Sequence, residues 1–246
     1  NLEVQLSSRV KGESMLDTIF TLEALHVDVF VLRDAEEGVP ALVAANVQPH
    51  VSVLSAGEAH LSHPTQGLLD ALTILQRKGR CDGLSIAIVG DIRHSRVARS
   101  AWQALTTLGT KDIRLVAPPA LMPSASEFPG CTRETTLERG IAGCDVVMML
   151  RIQRERFADT AIPTGDDYFR EYGLTTQRLR GAKPDAIVMH PQPMNRGVEI
   201  ETTVADGPQS VIRDQVANGV AVRMAVLETI AAPRVSRLSR DARSTP

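Results

Sequence analysis

A succession of short apolar runs separated by helical patterns is what most limits the folds open to this chain. Residues 27–32 (VDVFVL), 51–54 (VSVL), 84–89 (LSIAIV), 113–116 (IRLV), 146–150 (VVMML) and 186–189 (AIVM) are apolar on largely successive positions. A strand with one wet face would alternate apolar and polar residues, so these runs point to strands buried on both faces. Residues 13–25, 64–76, 95–108 and about 214–230 carry helical patterns between them. Such alternation predicts parallel sheets covered by helices, an α/β fold class with two doubly wound domains.

The polar stretch Arg77-Lys-Gly-Arg-Cys-Asp-Gly83 suits a boundary between them. The first domain is expected over residues 1–79, completed by helix 214–232 folding back onto it, and the second over 80–213. Residues 233–246 hold Arg234, Arg237, Arg240 and Arg243 among Ser and Pro, and are expected to form a solvated, mobile tail. The chain opens Asn1-Leu-Glu-Val-Gln-Leu, which reads like the end of a strand and has neither the charged nor the apolar region of a signal peptide. The expectation is a natural polypeptide that begins further upstream, leaving the first domain incomplete here.

Composition narrows the function. A net charge of -2 offers no concentrated basic surface, so no nucleic-acid partner is expected. No apolar run reaches the roughly 18–20 residues of a membrane-spanning helix. Cys81, Cys131 and Cys144 are odd in number and lack metal-ligand spacing, which predicts inert thiols in a reduced, cytoplasmic setting.

Open α/β sheets bind ligands beyond the carboxyl ends of their strands, so the residues that follow each run are the candidates. Arg33 follows the first run. A short loop past the second brings Ser55-Ala-Gly-Glu58 and then His63-Pro-Thr-Gln66 at a helix start. The third leads into Gly90-Asp-Ile-Arg-His-Ser-Arg96, the fifth into Arg151-Ile-Gln153, and the sixth into His190-Pro-Gln-Pro193. Each has an ordinary reading alone: a surface arginine, a helix cap, a turn pre-set by proline. Together they describe anion handling. Arginine pairs bidentately with carboxylate or phosphate, while a neutral His and a Gln can recognise a carbonyl or an amide-like group. The chain has no activated nucleophile, no metal-ligand cluster, no dinucleotide fingerprint and no Walker loop. The expectation is direct group transfer between small acids, with no metal and no cofactor.

These motifs resemble those of the aspartate carbamoyltransferases. His63-Pro-Thr-Gln66 followed by Leu68-Leu-Asp70 is similar to that family's signature in its carbamoyl phosphate domain. Val10-Lys-Gly-Glu-Ser14 followed by Asp17-Thr18 resembles its mobile loop. The segments from Gly90 to Arg96, from Arg151 to Gln153, and His190-Pro-Gln-Pro-Met-Asn-Arg196-Gly-Val-Glu199 resemble its aspartate-binding segments. The motifs keep family order and spacing from Lys11 to about Ala231. The resemblance implies that Arg33 binds the phosphate of carbamoyl phosphate and helps polarise its carbonyl. His63 would donate to that carbonyl oxygen and Gln66 would hold the carbamoyl amino group. Ser7 and Lys11 would reach a neighbouring subunit's active site, with Lys11 touching both substrates. Arg96 would take the α-carboxylate of L-aspartate, and Arg151 with Gln153 the β-carboxylate. Backbone carbonyls near Gln192 and Pro193 would orient the two nitrogens. It further implies a homotrimer with shared active sites, closure of the two domains over the substrates, and room for regulatory or dihydroorotase-type subunits.

The chain departs from the family in three places. The family's Ser-Thr-Arg-Thr-type phosphate loop lies upstream of everything here, and Ser55 and Ala59 stand where many relatives have Asn and Gly. Two rivals follow. Ornithine carbamoyltransferases typically carry His-Cys-Leu-Pro in place of His190-Pro-Gln-Pro193, and paired arginines would repel ornithine's ammonium. A non-catalytic scaffold in a pyrimidine-synthesis complex would have no use for Arg33, His63, Arg96 and Arg151 together.

Overall fold

A computed structural model describes residues 14–152 and 165–241, with side chains as far as residue 232. Ser7, Lys11 and Gln153 lie outside the described residues. The chain divides into two compact units, Asn1–Ala59 with Ala225–Pro246, and His60–Met224.

In the first unit, helix α1 (Met15–Glu23) opens with a reciprocal cap. The Ser14 hydroxyl accepts from the Asp17 backbone N–H at 3.1 Å while the Asp17 carboxylate accepts from the Ser14 N–H at 3.3 Å. This satisfies two of the donors that a helix start leaves open. Strand β1 (Val29–Asp34) crosses through helix α2 (Val39–Asn46) to pair in parallel with β2 (Ser52–Glu58). Ile19, Phe30, Val39, Val43 and Val51 form the core between these elements. The register slips from Leu32↔Ser55 to Asp34↔Glu58, and Gly57, at φ 125°, lies in the longer stretch of β2. Pairing therefore continues past Leu32, so Arg33 sits inside β1 as an exposed residue and not in a loop after it.

The second unit holds a five-stranded, wholly parallel sheet. Its strands are β3 (Ser85–Val89), β4 (Asp112–Val116), β5 (Thr132–Glu134), β6 (Val146–Met149) and β7 (Ile187–Met189), in the order β5-β4-β3-β6-β7. The chain builds outward from β3 to β5, then returns to the other side of β3 for β6 and β7. The reversal leaves a crevice beyond the carboxyl ends of β3 and β6, where open α/β sheets take ligands. Every residue of β6 and β7 is buried, as the unbroken apolar runs require.

Helices α3 (Pro64–Lys78) and α4 (Arg96–Thr107) pack closely in this unit. A Cβ at Gly67 would lie 2.4 Å from the Ser100 carbonyl oxygen, so only glycine lets the two backbones approach this far. Shorter helices α5 (Leu137–Ile141), α6 (Gly165–Tyr172), α7 (Thr176–Leu179) and α8 (Thr202–Ala205) follow in chain order. The last helix, α9, runs over Ile212–Asp241.

Helix α3 packs within the unit His60–Met224. Its Lys78 reaches Asp185 at 2.9 Å, its Arg77 pairs with Asp214, and its Thr73 accepts from Asn218 at 2.9 Å. The expected tail from residue 233 is helical as far as Asp241. Pro233 removes one backbone donor, but good helix formers, Ala231 and Ala232, precede it, and the helix bridges the loss.

Candidate functional site

The site builds from the carboxyl edge of the five-stranded sheet. Strand β3 leads into Gly90, whose φ of 136° and whose clearance from the β6 end both demand glycine: a Cβ would lie 2.9 Å from that of Leu150. The fully buried Asp91 follows, and its Oδ1 accepts from the His94 backbone N–H at 3.2 Å and lies 2.9 Å from His94 Nδ1. That turn delivers Ser95, whose hydroxyl caps α4 by accepting from the Ala98 N–H at 3.1 Å. Arg96 is thereby the first residue of α4, half-buried at the sheet edge. Arg99, one turn on, has a structural role: it pairs with Glu127 at 2.5 Å and lies 5.1 Å from the Phe128 ring centroid.

Arg151 follows the end of β6 directly and is also half-buried, with Ile152 buried beside it. Arg96 and Arg151 thus leave neighbouring strands at the topological switch. His63 occupies the cap position of α3 without capping through its side chain, and Pro64 takes the first helical position. Its backbone N–H donates to Ser100 Oγ at 2.7 Å, tying the start of α3 to the helix that carries Arg96.

The segment after β7 is held by a polar arrangement in which backbone N–H groups decide every direction. The Gln192 N–H donates to His190 Nδ1 at 3.0 Å, so that nitrogen must be unprotonated and Nε2 carries the hydrogen. Nε2 then faces Glu199 Oε1 at 3.3 Å, and the same oxygen accepts from the Asn195 backbone N–H. His190 and Glu199 are both fully buried. Gln192 itself has φ 62°, an unusual conformation held by this network. Arg196, in the same segment, makes two bonds to Asp206 at 2.7 and 3.0 Å and has a structural part.

From His190 the network runs inward. Its backbone N–H donates to Gln215 Oε1 at 2.9 Å, and Gln215 Nε2 donates to Asp70 Oδ1 at 2.7 Å. Gln66 Nε2 donates to the same Asp70 oxygen at 3.0 Å. Asp70 is fully buried and Gln215 and Gln66 nearly so, at 1% and 6% exposure. Burial pushes the Asp70 carboxyl up to about 7, against the opposing pull of the bonds from Gln215 and Gln66.

The unit His60–Met224 therefore brings His63, Gln66, Arg96, Arg151, Gln192 and Pro193 onto its own elements, while Arg33 lies in the other unit. Sequence reasoning gave no role to Asp70, Glu199 or Gln215. Asp70 stands four residues after Gln66, a helical spacing that puts both on one face, so that signal was readable. Gln215 is 145 residues from Asp70, and no local pattern marks it.

The chain also matches known proteins. The family model described as aspartate/ornithine carbamoyltransferase, carbamoyl-P binding domain, matches residues 1–76, and that described as the Asp/Orn binding domain matches residues 82–230. Among solved structures, Trypanosoma cruzi aspartate transcarbamoylase in complex with N-(phosphonacetyl)-L-aspartic acid is similar at 33% identity and a TM-score of 0.81, over 92% of this chain and 73% of that one. The same enzyme in complex with aspartate and phosphate matches at 33% identity and a TM-score of 0.77, over 92% and 71%.

Proposed function

Because this chain belongs to the aspartate/ornithine carbamoyltransferase family, we propose that it transfers the carbamoyl group of carbamoyl phosphate to the α-amine of L-aspartate, giving N-carbamoyl-L-aspartate and phosphate. The observation that carries this reading is the pair of half-buried arginines, Arg96 and Arg151, at the switch point of the sheet, with His63 and Gln66 at the start of helix α3, which is tied to α4 through Ser100. Two guanidinium groups there suit a dicarboxylate and oppose the ammonium of ornithine.

In this reading the amine of aspartate attacks the carbamoyl carbon, and negative charge grows on the carbonyl oxygen. His63 and Arg33 are assigned to that oxygen, each preaimed donor being worth on the order of 3 kcal/mol. Arg33 also takes the phosphate, joined by Ser7 and Lys11. Arg96 binds the α-carboxylate, and Arg151 with Gln153 the β-carboxylate. Gln66 accepts from the carbamoyl amino group, and the carbonyls near Gln192 and Pro193 orient the nitrogens. The departing phosphate takes the amine proton, so no protein base is required. Holding two anions side by side supplies much of the remaining acceleration.

We assign the reaction to pyrimidine synthesis in the cytoplasm, and the working form as a homotrimer in which Ser7 and Lys11 serve a neighbour's site. Residues 1–79 with 214–232 are assigned to carbamoyl phosphate and 80–213 to aspartate. The test is formation of carbamoyl aspartate from carbamoyl phosphate and L-aspartate, with L-ornithine in parallel. Product with aspartate alone supports the reading. Product with ornithine alone replaces the substrate, and a folded trimer inactive on both would favour a scaffold.

A further inference from the structure

The hydrogen bonds that enter α3 from the 190–193 segment have a fixed polarity, because they begin at a backbone N–H that can only donate. The His190 N–H requires the oxygen of the Gln215 amide, at 2.9 Å. The Gln215 nitrogen is therefore turned to Asp70 and donates to Oδ1 at 2.7 Å. Asp70 Oδ1 is thus an acceptor, and the Gln66 nitrogen meets it at 3.0 Å. Gln66 Oε1 is left as the end of the amide that faces away from Asp70. A glutamine amide in water is indifferent to a half-turn, since oxygen and nitrogen are nearly equal in size. Here the half-turn would remove the N–H that Gln66 donates to Asp70 Oδ1 and would leave the Gln66 oxygen facing a carboxylate oxygen.

We propose that Asp70 and Gln215 are positioning residues: they transmit the polarity of the His190 backbone N–H to Gln66 and hold its amide oxygen, not its nitrogen, ready for the carbamoyl amino group. This rests on the assignment of Gln66 to that group. The consequence is specificity. An acetyl or methyl-bearing acyl phosphate presents no N–H to the Gln66 oxygen and leaves that acceptor unmatched, whereas the carbamoyl group satisfies it. The same bonds tie the 190–193 segment to the start of α3, so both groups that face the carbamoyl nitrogen are set by one buried chain. Thr73 and Asn218 join the same two helices at 2.9 Å but have no bond to Gln66, which makes them the structural control.

The experiment measures the carbamoyl phosphate KM, the aspartate KM, kcat and Tm for the full chain and four variants. Asp70→Asn keeps Oδ1 and should stay within about threefold of wild type in every kinetic constant. Asp70→Leu removes the acceptor and should raise the carbamoyl phosphate KM about tenfold or more, with the aspartate KM held within about twofold. Gln215→Met should act in the same direction, and it decides the matter if Asp70→Leu does not fold. Thr73→Val should lower Tm and leave both KM values alone. A folded Asp70→Leu or Gln215→Met with the wild-type carbamoyl phosphate KM overturns the inference, as does a Thr73→Val that shifts KM equally. If those variants fail while wild type makes carbamoyl aspartate, the reading of the site survives; a wild type that makes none takes both down.

Discussion

At the level of single residues, four arginines near the strand ends differ in role. Arg99 is used by Glu127 and Phe128, and Arg196 by Asp206. Arg96 and Arg151 stand at strand-end positions, and Arg96→Ala or Arg151→Ala should raise the aspartate KM about 10–100-fold while leaving the carbamoyl phosphate KM near wild type. Arg99→Ala should instead lower Tm with both KM values unchanged, and steady-state kinetics beside a thermal melt separates the two classes. Asp70 gives a pH prediction. Its carboxyl rises from 3.8 to about 7 because it is buried, so between those values the folded chain keeps a proton that the unfolded chain has released. This group's contribution to stability therefore falls as pH rises through that window and is level above it. Asp70→Asn cannot ionise, so its Tm relative to wild type should climb from about pH 4 to about pH 7 and then flatten. A difference that shrinks with rising pH would contradict the assignment. Burial pushes the Cys131 and Cys144 thiols up to about 11, which disfavours the reactive thiolate.

Among the elements, the contact between α3 and α4 does most to place the site, since it fixes His63 and Gln66 relative to the helix bearing Arg96. Gly67→Ala would drive a methyl into the Ser100 carbonyl, 2.4 Å away, and should cost about 1–3 kcal/mol of stability while shifting the His63 backbone. Chemical denaturation with a parallel activity assay would show both effects. Ser95→Ala, which removes the α4 cap, should cost about 1 kcal/mol by the same measurement. The elements found from sequence are those whose pattern is strong. Strands β3, β4, β6 and β7 and helices α3 and α4 lie within two residues of their expected bounds, because nearly unbroken apolar runs and clean helical patterns report burial directly. Strand β5, Thr132-Arg-Glu134, is a polar edge strand with no apolar signal, and it exists because β4 offers it a pairing edge. Helices α2 and α5 through α8 run from four to eight residues, too short for a period to declare itself.

For the whole molecule, the proposed trimer predicts a solution mass about three times the 26.6 kDa of the chain, measurable by light scattering. If Lys11 serves a neighbour's site, inactive Lys11→Ala chains mixed and reassembled with inactive His63→Ala chains should regain activity. The mixture forms some sites with both residues intact, and failure to recover would place Lys11 in its own chain's site. The α/β class and the apolar strands were readable from sequence because they depend on neighbours along the chain, and the positions of Arg96 and Arg151 followed from the rule that ligands sit past strand ends. What the tertiary structure alone decided is which distant residues meet. It put α3 with the unit His60–Met224, through Gly67 against Ser100 and Lys78 against Asp185, and it set Arg33 within a strand instead of after one. It also joined Gln66 to His190 through Asp70 and Gln215. A buried polar group takes whatever partner the fold brings within 3 Å of it, and chain order holds no record of that choice.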